Sequence, residues 1–483
     1  MESRTYICID LKSFYASVEC VARGLDPMTA RLVVADPERT VTTICLAVSP
    51  AMKAAGVRNR CRVFEIPPEI DYVMAPPRMR TYMQTSADIY GVYLRYVAPE
   101  DIHPYSIDEC FIDATAYLSL YETDARSFAV TLMEAVRAET GIPATAGIGP
   151  NLFQAKVALD ITAKHAPDGI GMLDDQSFRR LIWPHRPLTD VWNIGPGIAR
   201  RLAKYHVYDL KGVTEMDPDV LYDEFGVNAE YLIDHAWGVE PCTIADIKAY
   251  EPESNSLMNG QALPCGYSFD DGLIVLREMC DDTVLDLIEK RLVTDHVSLH
   301  VSYQREGSAA AGRLQNGDEA GLCDCEAAAG RDERAPEATS RDHGVADVRP
   351  EEDGAPDFFQ TEHGVRSLRR DPFGHGGGSR KIPECTNSFK KLYGYLEELY
   401  RETVDPSRLI RKISLGFGNL VDEDFATFDL FTDYEAAARE RRTQEAVLAI
   451  KDKFGKNALI KGTSLQEHAM GRERNLLVGG HRG

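Results

Sequence analysis

Residues 5–22 read TYICIDLKSFYASVECVA, and this stretch decides the fold because it joins a strand to a helix through a short turn. Thr5–Asp10 is an apolar run that ends in a carboxylate, which is typical of a buried strand. Phe14–Ala22 then predicts a helix packed against that strand. The sequence therefore predicts that Asp10 lies at the edge of a sheet, next to the start of a helix.

A second acidic stretch has a similar character. Residues 106–113 read SIDECFID, in which apolar residues flank Asp108 and Glu109 in a strand-turn-strand pattern. Together with Asp10 these residues place three carboxylates at neighbouring strand ends, and carboxylates are the ligands that divalent cations such as Mg²⁺ prefer. The residue types alone leave a structural alternative open, because acids at strand ends also cap helices or pair with Arg.

Strands and helices alternate along the first part of the chain. The predicted elements are a strand at Arg31–Ala35, helices at Pro50–Ala55, Arg80–Val97 and Phe128–Thr140, and a strand at Ala144–Gly149. This alternation predicts an α+β or α/β catalytic core.

The second part of the chain has a different pattern of predicted elements. Short helices with Gly turns surround Asn193, and Glu251–Pro264 is interpreted as a linker. The predicted elements after it are helices at Leu273–Leu292, Phe389–Glu402 and Tyr434–Phe454, and strands at His296–Tyr303 and Ile410–Leu420. Residues 305–380 lack periodicity and are rich in Gly, Ala, Glu and Arg, which predicts a disordered insert.

Length and composition set the class of protein. The chain has 483 residues, of which 44% are hydrophobic and 27% charged, so several soluble domains are expected. No apolar run is long enough to cross a membrane, the scattered cysteines indicate reduced thiols, and a cytoplasmic location is expected. The net charge of −22 counts against nucleic-acid binding unless positive charge is concentrated locally.

Four motifs resemble those of one enzyme family. They are IDLKSFYASVE (9–19), YSIDECFID (105–113), GIGPNLFQAKVALDITAKHAPDGI (147–170) and NIGPGIARRL (193–202). Their order and spacing are similar to those of Y-family DNA polymerases, especially the bacterial UmuC/UvrX-type subgroup.

The resemblance implies an α+β multidomain, right-hand polymerase. The implied domains are a palm (1–30 and 76–185), fingers (31–75), a small helical thumb with a helix-hairpin-helix (186–250), an α/β little finger (252–304 and 381–420) and a tail (421–483), with the insert at 305–380 between the two parts of the little finger.

The resemblance also implies a metal site for two Mg²⁺ ions. Asp10 and Asp108 would bind both ions, Glu109 the catalytic one, and the backbone carbonyl of Leu11 would complete the nucleotide-bound site. A purely structural role for the three acids is the alternative that the spacing by itself left open.

Further residues are implied to bind the nucleotide. Phe14 and Tyr15 would contact the nucleotide. Tyr15 would lie under the incoming sugar as a steric gate against a 2′-hydroxyl, although Tyr15 also suits an ordinary core position. Lys53 and Lys156 would contact the triphosphate; solvated helix lysines are the alternative. Pro50 departs from the family pattern, in which a tyrosine often contacts the triphosphate.

The remaining implied contacts are with DNA and with other proteins. Gly195, Gly197, Arg200 and Arg201 would hold a DNA phosphate at a helix N-terminus. Residues 427–431, TFDLF, resemble a sliding-clamp peptide in which Leu430 and Phe431 would be the anchors. The implied partners are primer-template DNA, deoxynucleoside triphosphates, the clamp and accessory subunits, with no membrane.

The function that these implications support is error-prone translesion DNA synthesis. Two alternatives stay open: a non-catalytic DNA- and clamp-binding repair protein with a polymerase fold, and a metal-dependent nuclease.

Overall fold

The structure is a computed structural model that describes residues 4–37, 43–252, 255–304, 374–427, 434–478 and 481–482. The chain divides into two compact units, residues 1–253 with 472–483, and residues 254–471. Within the described ranges, no helix is both long enough and apolar enough to cross a membrane. The nine cysteines that are described are all free thiols, as the sequence predicts.

The described strands are β1 (Tyr6–Leu11), β2 (Leu32–Val34), β3 (Ala47–Val48), β4 (Val73–Ala75), β5 (Ile102–Pro104), β6 (Glu109–Asp113), β7 (Ala144–Gly149), β8 (Ile170–Met172), β9 (Leu257–Tyr267), β10 (Leu292–Tyr303), β11 (His375–Thr386), β12 (Ile410–Gly418), β13 (Val421–Asp422), β14 (Leu477–Val478) and β15 (His481–Arg482).

The described α-helices are α1 (Phe14–Ala22), α2 (Pro50–Ala54), α3 (Met79–Tyr93), α4 (Thr115–Leu120), α5 (Ala125–Thr140), α6 (Leu152–Val157), α7 (Asp175–Leu181), α8 (Pro196–Ala203), α9 (Leu210–Thr214), α10 (Pro218–Phe225), α11 (Asn228–Trp237), α12 (Ile244–Ala249), α13 (Phe269–Glu289), α14 (Phe389–Thr403), α15 (Tyr434–Phe454) and α16 (Gly471–Arg474).

The first unit is organised by a five-stranded sheet in the order β5-β6-β1-β7-β8. The central strand β1 is antiparallel to both β6 and β7, and its apolar residues Ile7 and Ile9 are fully buried. Gly147 in β7 is needed for close packing, because a Cβ there would lie 2.1 Å from the carbonyl oxygen of Ala155 in α6. The predicted strand-turn-helix at the start of the chain is confirmed.

Two smaller parts complete this unit. Residues 31–75, predicted as fingers, contain the three-stranded sheet β3-β2-β4 with its own apolar cluster. Residues 186–250, predicted as the thumb, contain the short helices α8 to α12, and α8 to α11 contribute to one apolar cluster with α6 and α7. The domain names themselves stay predictions.

The second unit contains a five-stranded antiparallel sheet, in which four strands follow the order β11-β10-β12-β9 and the short strand β13 also pairs with β10. The apolar face of this sheet packs against α13 and α14. Residues 257–264, interpreted as part of a linker, instead form most of edge strand β9, so that interpretation is wrong. The reason is that β9 buries only part of one face, with Gln261 and Leu263 buried beside exposed neighbours, and such a weak alternation is hard to distinguish from a linker.

The predicted C-terminal end of the insert at residue 380 is also wrong, because strand β11 already begins at His375. The glycine run 376–378 suggested low complexity, but it is paired with β10. Gly377 has φ +118°, and a Cβ there would lie 2.1 Å from the carbonyl oxygen of Leu299. Here glycine permits a close strand pairing. Residues 305–373 lie outside the described residues.

Much of the predicted tail, residues 421–483, packs into the second unit. The predicted helix at Tyr434–Phe454 is confirmed as α15, and it packs against α13. Met470 is buried in the apolar core of this unit, and its backbone N–H donates to the buried carboxylate of Glu278 at 2.8 Å. Residues 455–471 are therefore part of the folded second unit.

Candidate active site

The register of the central strands brings the three predicted carboxylates to one edge of the sheet. Asp10 in β1 lies directly opposite Glu109 in β6, so their side chains share one face. The backbone N–H of Leu11 donates to the carbonyl oxygen of Asp108 at 3.0 Å, which ties the β5–β6 turn to the end of β1. The structure thus brings together residues that are about a hundred positions apart in the chain.

The turn before β6 is held by the hydroxyl group of Ser106 and by backbone hydrogen bonds to the carbonyl oxygen of Glu109. Ser106 Oγ donates to Asp108 Oδ1 at 2.8 Å and accepts from the backbone N–H of Glu109 at 3.1 Å. The turn between β1 and α1 contains Ser13 with φ 47°, a left-handed conformation that is uncommon for a residue with a Cβ. Both turns fix the carboxylates relative to the sheet.

Burial and mutual repulsion dominate the electrostatics of this edge. Burial, together with the charges of Asp108 and Glu109, raises the pKa of Asp10 to about 7, while Lys156 opposes the shift. Burial also raises the pKa of Glu109, although its hydrogen bond with Lys156 lowers it in part. Three acids held together in this way form a site of concentrated negative charge that favours a cation.

Lys156 is the main counter-charge. Its ammonium group donates to Glu109 Oε1 at 2.7 Å and to Asp160 Oδ1 at 3.1 Å, and the residue is 5% exposed. The predicted contact of Lys156 with a triphosphate differs from this placement, in which the ammonium group is already paired with two carboxylates. Asp160 was missed by the sequence reasoning, although Lys156 and Asp160 stand at the i, i+4 spacing of a helical ion pair.

Lys53, in α2, lies near the same acidic edge. Partial burial lowers the pKa of its ammonium group, whereas the charges of Asp10 and Asp108 raise it. The charge of Lys164 also lowers the pKa of Lys53, so these two lysines from different elements lie near each other. Lys164 was also missed by the sequence reasoning; its place in the motif at residues 147–170 is the signal that could have found it. Pro50 occupies the first turn of α2, and Ser49 caps that helix.

The two aromatic residues at the start of α1 have different environments. Phe14 is 2% exposed and belongs to the apolar core, which differs from a side-chain contact with nucleotide. Tyr15 is half-buried, and its ring stacks on that of Tyr82 with centroids 4.6 Å apart. The charge of Asp108 is among the causes that raise the pKa of Tyr15, after burial, so the phenol lies near the acidic edge. The gate assignment of Tyr15 stays a prediction.

The residues fit a dication through the chemistry of their donors. Asp10, Asp108 and Glu109 supply only oxygen atoms. The raised pKa of Asp10 reflects burial and then the repulsion of Asp108 and Glu109, and a divalent cation would relieve that repulsion. In the described part of the chain, however, no three His, Cys, Asp or Glu side chains converge into a ready metal cage. One of the three carboxylates, that of Glu109, is paired with Lys156 at 2.7 Å.

The predicted DNA-binding hairpin forms the start of α8. Gly195 is the N-cap residue, and a Cβ on either Gly195 or Gly197 would meet nothing within 4 Å. Arg200 is exposed, but Arg201 donates to the carbonyl oxygen of Glu224 at 2.8 Å and lies over the ring of Phe225. The predicted phosphate contact of Arg201 therefore differs from its observed structural role, and Arg200 is the better placed arginine.

The predicted clamp-binding anchors cannot be placed. Leu430 and Phe431 lie outside the described residues, which end at Thr427 before resuming at Tyr434. Thr427 itself exchanges hydrogen bonds with the backbone of Cys385 in β11, at 3.0 and 2.7 Å.

Comparisons with known proteins find a matching family and several relatives. Residues 9–160, which contain all three carboxylates, match the model of the impB/mucB/samB family. The chain is 29% identical to the putative UV-damage repair protein UvrX of Bacillus subtilis over 63% of this chain and 71% of that protein. It is 25% identical to DNA polymerase IV 2 of the same organism, over 100% of this chain and 99% of the relative. A further relative, the DNA repair protein homolog YozK of Bacillus subtilis, is 39% identical over 21% of this chain and 90% of its own length.

The fold has a counterpart among solved structures. The structure titled "Y-family DNA polymerase chimera Dbh-Dpo4(243-245)-Dbh" superposes with a TM-score of 0.57 at 16% sequence identity, covering 86% of this chain and 99% of that one. At this identity the similarity supports the α+β fold.

Proposed function

Because this chain belongs to the Y family of DNA polymerases, we propose that it adds deoxynucleotides to a primer 3′ end by template-directed, metal-dependent nucleotidyl transfer at Asp10, Asp108 and Glu109. The observation that carries this proposal is the register of β1 and β6, which sets Asp10 opposite Glu109 beside the turn that contains Asp108. The chain is a DNA-directed DNA polymerase by its family, and the residue roles are the proposal.

Two Mg²⁺ ions are the proposed cofactor. When bound, they would activate the primer 3′ oxygen and hold the charge of the triphosphate. Asp10 and Asp108 would bind both ions, Glu109 one of them, and the carbonyl oxygen of Leu11 would complete the set. Lys156 would orient Glu109 and limit its repulsion of the other two acids, as its 2.7 Å hydrogen bond suggests.

The incoming nucleotide is proposed to lie between the acidic edge and the fingers. Lys53 would neutralise charge that develops on the triphosphate, and Lys164 lies close enough to Lys53 to assist. Tyr15 would contact the sugar and exclude a 2′-hydroxyl, since its ring is held at the acidic edge by its position in α1. This arrangement favours deoxynucleotides over ribonucleotides.

Primer-template DNA is the proposed partner of the α8 hairpin. Neither Gly195 nor Gly197 needs to be glycine for packing or for its backbone conformation, so the open space above them suits close approach of a phosphate. Gly197→Ala should leave the melting temperature nearly unchanged and weaken DNA binding. Arg200→Ala should weaken binding uniformly across DNA sequences and lower the salt dependence by about one released counterion.

Synthesis past damaged templates is the proposed biological role, with low fidelity. Its support is the family and the name of the UvrX relative, a putative UV-damage repair protein. A contact of Leu430 and Phe431 with the sliding clamp, and a need for accessory subunits, belong to the same proposal.

The deciding experiment is primer extension with Mg²⁺ and all four deoxynucleotides, comparing the natural chain with an Asp108→Ala, Glu109→Ala double variant. Asp295→Asn is a matched control, because Asp295 is an acid on a strand of the second unit. The proposal expects extension by the natural chain and by the control, and its loss in the double variant. No extension by the natural chain, with a sliding clamp present, would favour the non-catalytic repair protein.

A further inference from the structure

We propose that Tyr82, held by the buried carboxylate of Glu19, is a positioning residue that fixes the ring of Tyr15 and thereby sets sugar selection. The inference rests on the proposed function, because it assigns a support to the gate. Neither Tyr82 nor Glu19 needs to touch the nucleotide for this role. Their effect on selectivity would pass through Tyr15 alone.

The geometry of two helices brings these residues together. Tyr15 and Glu19 are four residues apart in α1, so they lie on the same face of that helix. Arg78 and Tyr82 are four residues apart across the N-terminus of α3, again on one face. The two faces meet with the rings of Tyr15 and Tyr82 stacked at 4.6 Å and an interplanar angle of 20°.

The lower ring of this stack has little freedom. Tyr82 is 0% exposed, and its hydroxyl donates to Glu19 Oε1 at 2.9 Å. Packing around a buried ring restricts its rotation, and a hydrogen bond from its hydroxyl group restricts its displacement within the ring plane. The upper ring, Tyr15, is only half-buried, so the fixed surface beneath it largely determines where it rests.

Glu19 is itself held from several directions. Arg78 donates from Nε to Oε1 at 2.8 Å and from Nη2 to Oε2 at 2.9 Å, and Arg23 also pairs with Oε2. The side chain of Glu19 is 0% exposed, so the carboxylate would be costly to leave unpaired. Burial raises its pKa, but these hydrogen bonds together hold it below the usual range.

This network explains why a charged residue is buried beneath an apolar helix face. A gate acts by a steric clash with a single hydroxyl group, and a shift of about 1 Å in its ring would remove much of that clash. A support made of a stacked ring and a bidentate ion pair resists such a shift better than a loose apolar contact. In this proposal, the free-energy cost of burying the Glu19 carboxylate supports the selection of deoxynucleotides over ribonucleotides.

The test is single-nucleotide incorporation with a deoxynucleotide and the matching ribonucleotide, with kcat and KM measured for each. Tyr82→Leu removes the flat support but keeps bulk, and Tyr82→Phe keeps the ring but removes the bond to Glu19. Tyr117→Phe is the matched control, because the Tyr117 hydroxyl donates to Asp101 at 2.7 Å in the same unit. Thermal unfolding establishes that each variant is folded.

Tyr82→Leu should lower the preference for deoxynucleotides roughly tenfold to a hundredfold, mainly through a gain in ribonucleotide incorporation rather than a loss of deoxynucleotide extension. Tyr82→Phe should shift the preference in the same direction by a smaller factor, and Tyr117→Phe should leave it unchanged. A folded Tyr82→Leu variant that extends primers with unaltered sugar preference would overturn the inference.

Further variants distinguish a wrong assignment of Tyr15 as the steric gate from a wrong assignment of Tyr82 as its support. If Tyr15→Ala also leaves the preference unaltered, the gate assignment is wrong and the inference falls with it. If the natural chain extends no primer, polymerase activity fails, and a double-mutant cycle of Tyr15→Ala and Tyr82→Leu in unfolding free energy then decides the support. Coupling between the two changes would support it, and additivity would contradict it.

Discussion

The two sheets of this protein differ in how they treat charge on their central strands. In the first sheet, Asp10 and Glu109 face each other directly across β1 and β6, and Asp108 lies beside them. In the second sheet, the central pair of β10 and β12 sets His300 opposite Ser414, and Asp295 on β10 pairs with Lys381 at 3.4 Å and with the amide of Asn419 at 3.0 Å.

This difference in charge pairing distinguishes a sheet that carries a candidate active site from a sheet that has only a structural role. Like charges directly opposite each other destabilise a sheet, so the first sheet tolerates a cost that the second avoids. Burial makes this cost larger, as the raised pKa of Asp10 indicates. A cost that the fold does not require supports the proposal that the acidic edge is the active site.

The strongest test of this comparison replaces one acid in each sheet. Asp10→Asn should reduce primer extension by at least about a thousandfold, because it removes a charged ligand from the site. In metal-free buffer above neutral pH the same change should raise the unfolding free energy by about 1–3 kcal/mol, because it relieves repulsion in the folded state. Extension and denaturant unfolding measure the two effects.

Asp295→Asn provides the matched control for both measurements. It should leave extension unchanged and lower stability slightly, because Asp295 already has favourable partners. A loss of stability in Asp10→Asn equal to that of the control would show that the acidic edge carries no electrostatic cost, and the comparison would fail.

A second prediction concerns the buried acid of the second unit, which lies on the helical layer. Glu278 is 4% exposed, and its Oε2 accepts the backbone N–H groups of Met470 and Gly471 at 2.8 and 2.9 Å. Glu278→Ala should lower the unfolding free energy by about 2–3 kcal/mol, because two buried donors lose a charged acceptor. Amide hydrogen exchange should increase at residues 455–471.

Glu289→Gln is the control for that measurement, since Glu289 is exposed on the same helix, α13. Unchanged exchange at residues 455–471 in Glu278→Ala would mean that the segment is held by apolar contacts alone. Glu278 would then be a buried charge that the fold tolerates.

Local patterns predicted much of this molecule, and the exceptions share one cause. Residues 5–22 carry their own periodicity and turn, so β1, α1 and the position of Asp10 were accessible from the sequence. The pairing of Lys156 with Glu109 was not, because the two residues are 47 positions apart and either could have had another partner. The same holds for Arg201 and Glu224.

Glycine and weak alternation account for the errors in the second unit. The glycines at 376–378 are ambiguous in sequence, since they suit both an irregular segment and a close strand contact, and only the pairing with β10 distinguishes the two. Edge strand β9 buries few residues, so it was interpreted as a linker. Tertiary pairing, rather than local propensity, determines both strands.

A third prediction uses pH to compare Glu19 with the acidic edge. Because its hydrogen bonds lower the pKa of Glu19 in the folded state, its contribution to stability is present above the usual Glu pKa near 4.5 and is lost as pH falls through the lower folded value. Glu19→Gln should therefore lower the unfolding free energy by about 1–2 kcal/mol at neutral pH. The difference from the natural chain should shrink in acid.

Stability curves against pH for both chains check the sign of that effect. The trend is opposite to the one expected from Asp10, whose raised pKa makes its charged form unfavourable in the folded protein. Parallel curves for the natural chain and Glu19→Gln would show that the ion pairs with Arg78 and Arg23 do not stabilise the carboxylate.

The smallest expected effect comes from removing residues 307–372. The register pairs Ser302 in β10 with His375 in β11, so the two strand ends lie side by side. After the deletion a loop of about five residues would join them, which is a usual length for a β-hairpin. Loop-closure entropy then predicts a change in unfolding free energy of less than about 1 kcal/mol, with primer extension retained.

A deletion of residues 307–380 is the matched comparison, because it also removes the first part of β11, whose residues 375–380 pair with β10. That deletion should destabilise the second unit strongly, since β10 would lose a neighbour along half its length. Equal stability of the two deletion variants would show that the glycine-rich start of β11 does not stabilise the sheet, and a large loss in the shorter deletion would show that the removed residues do.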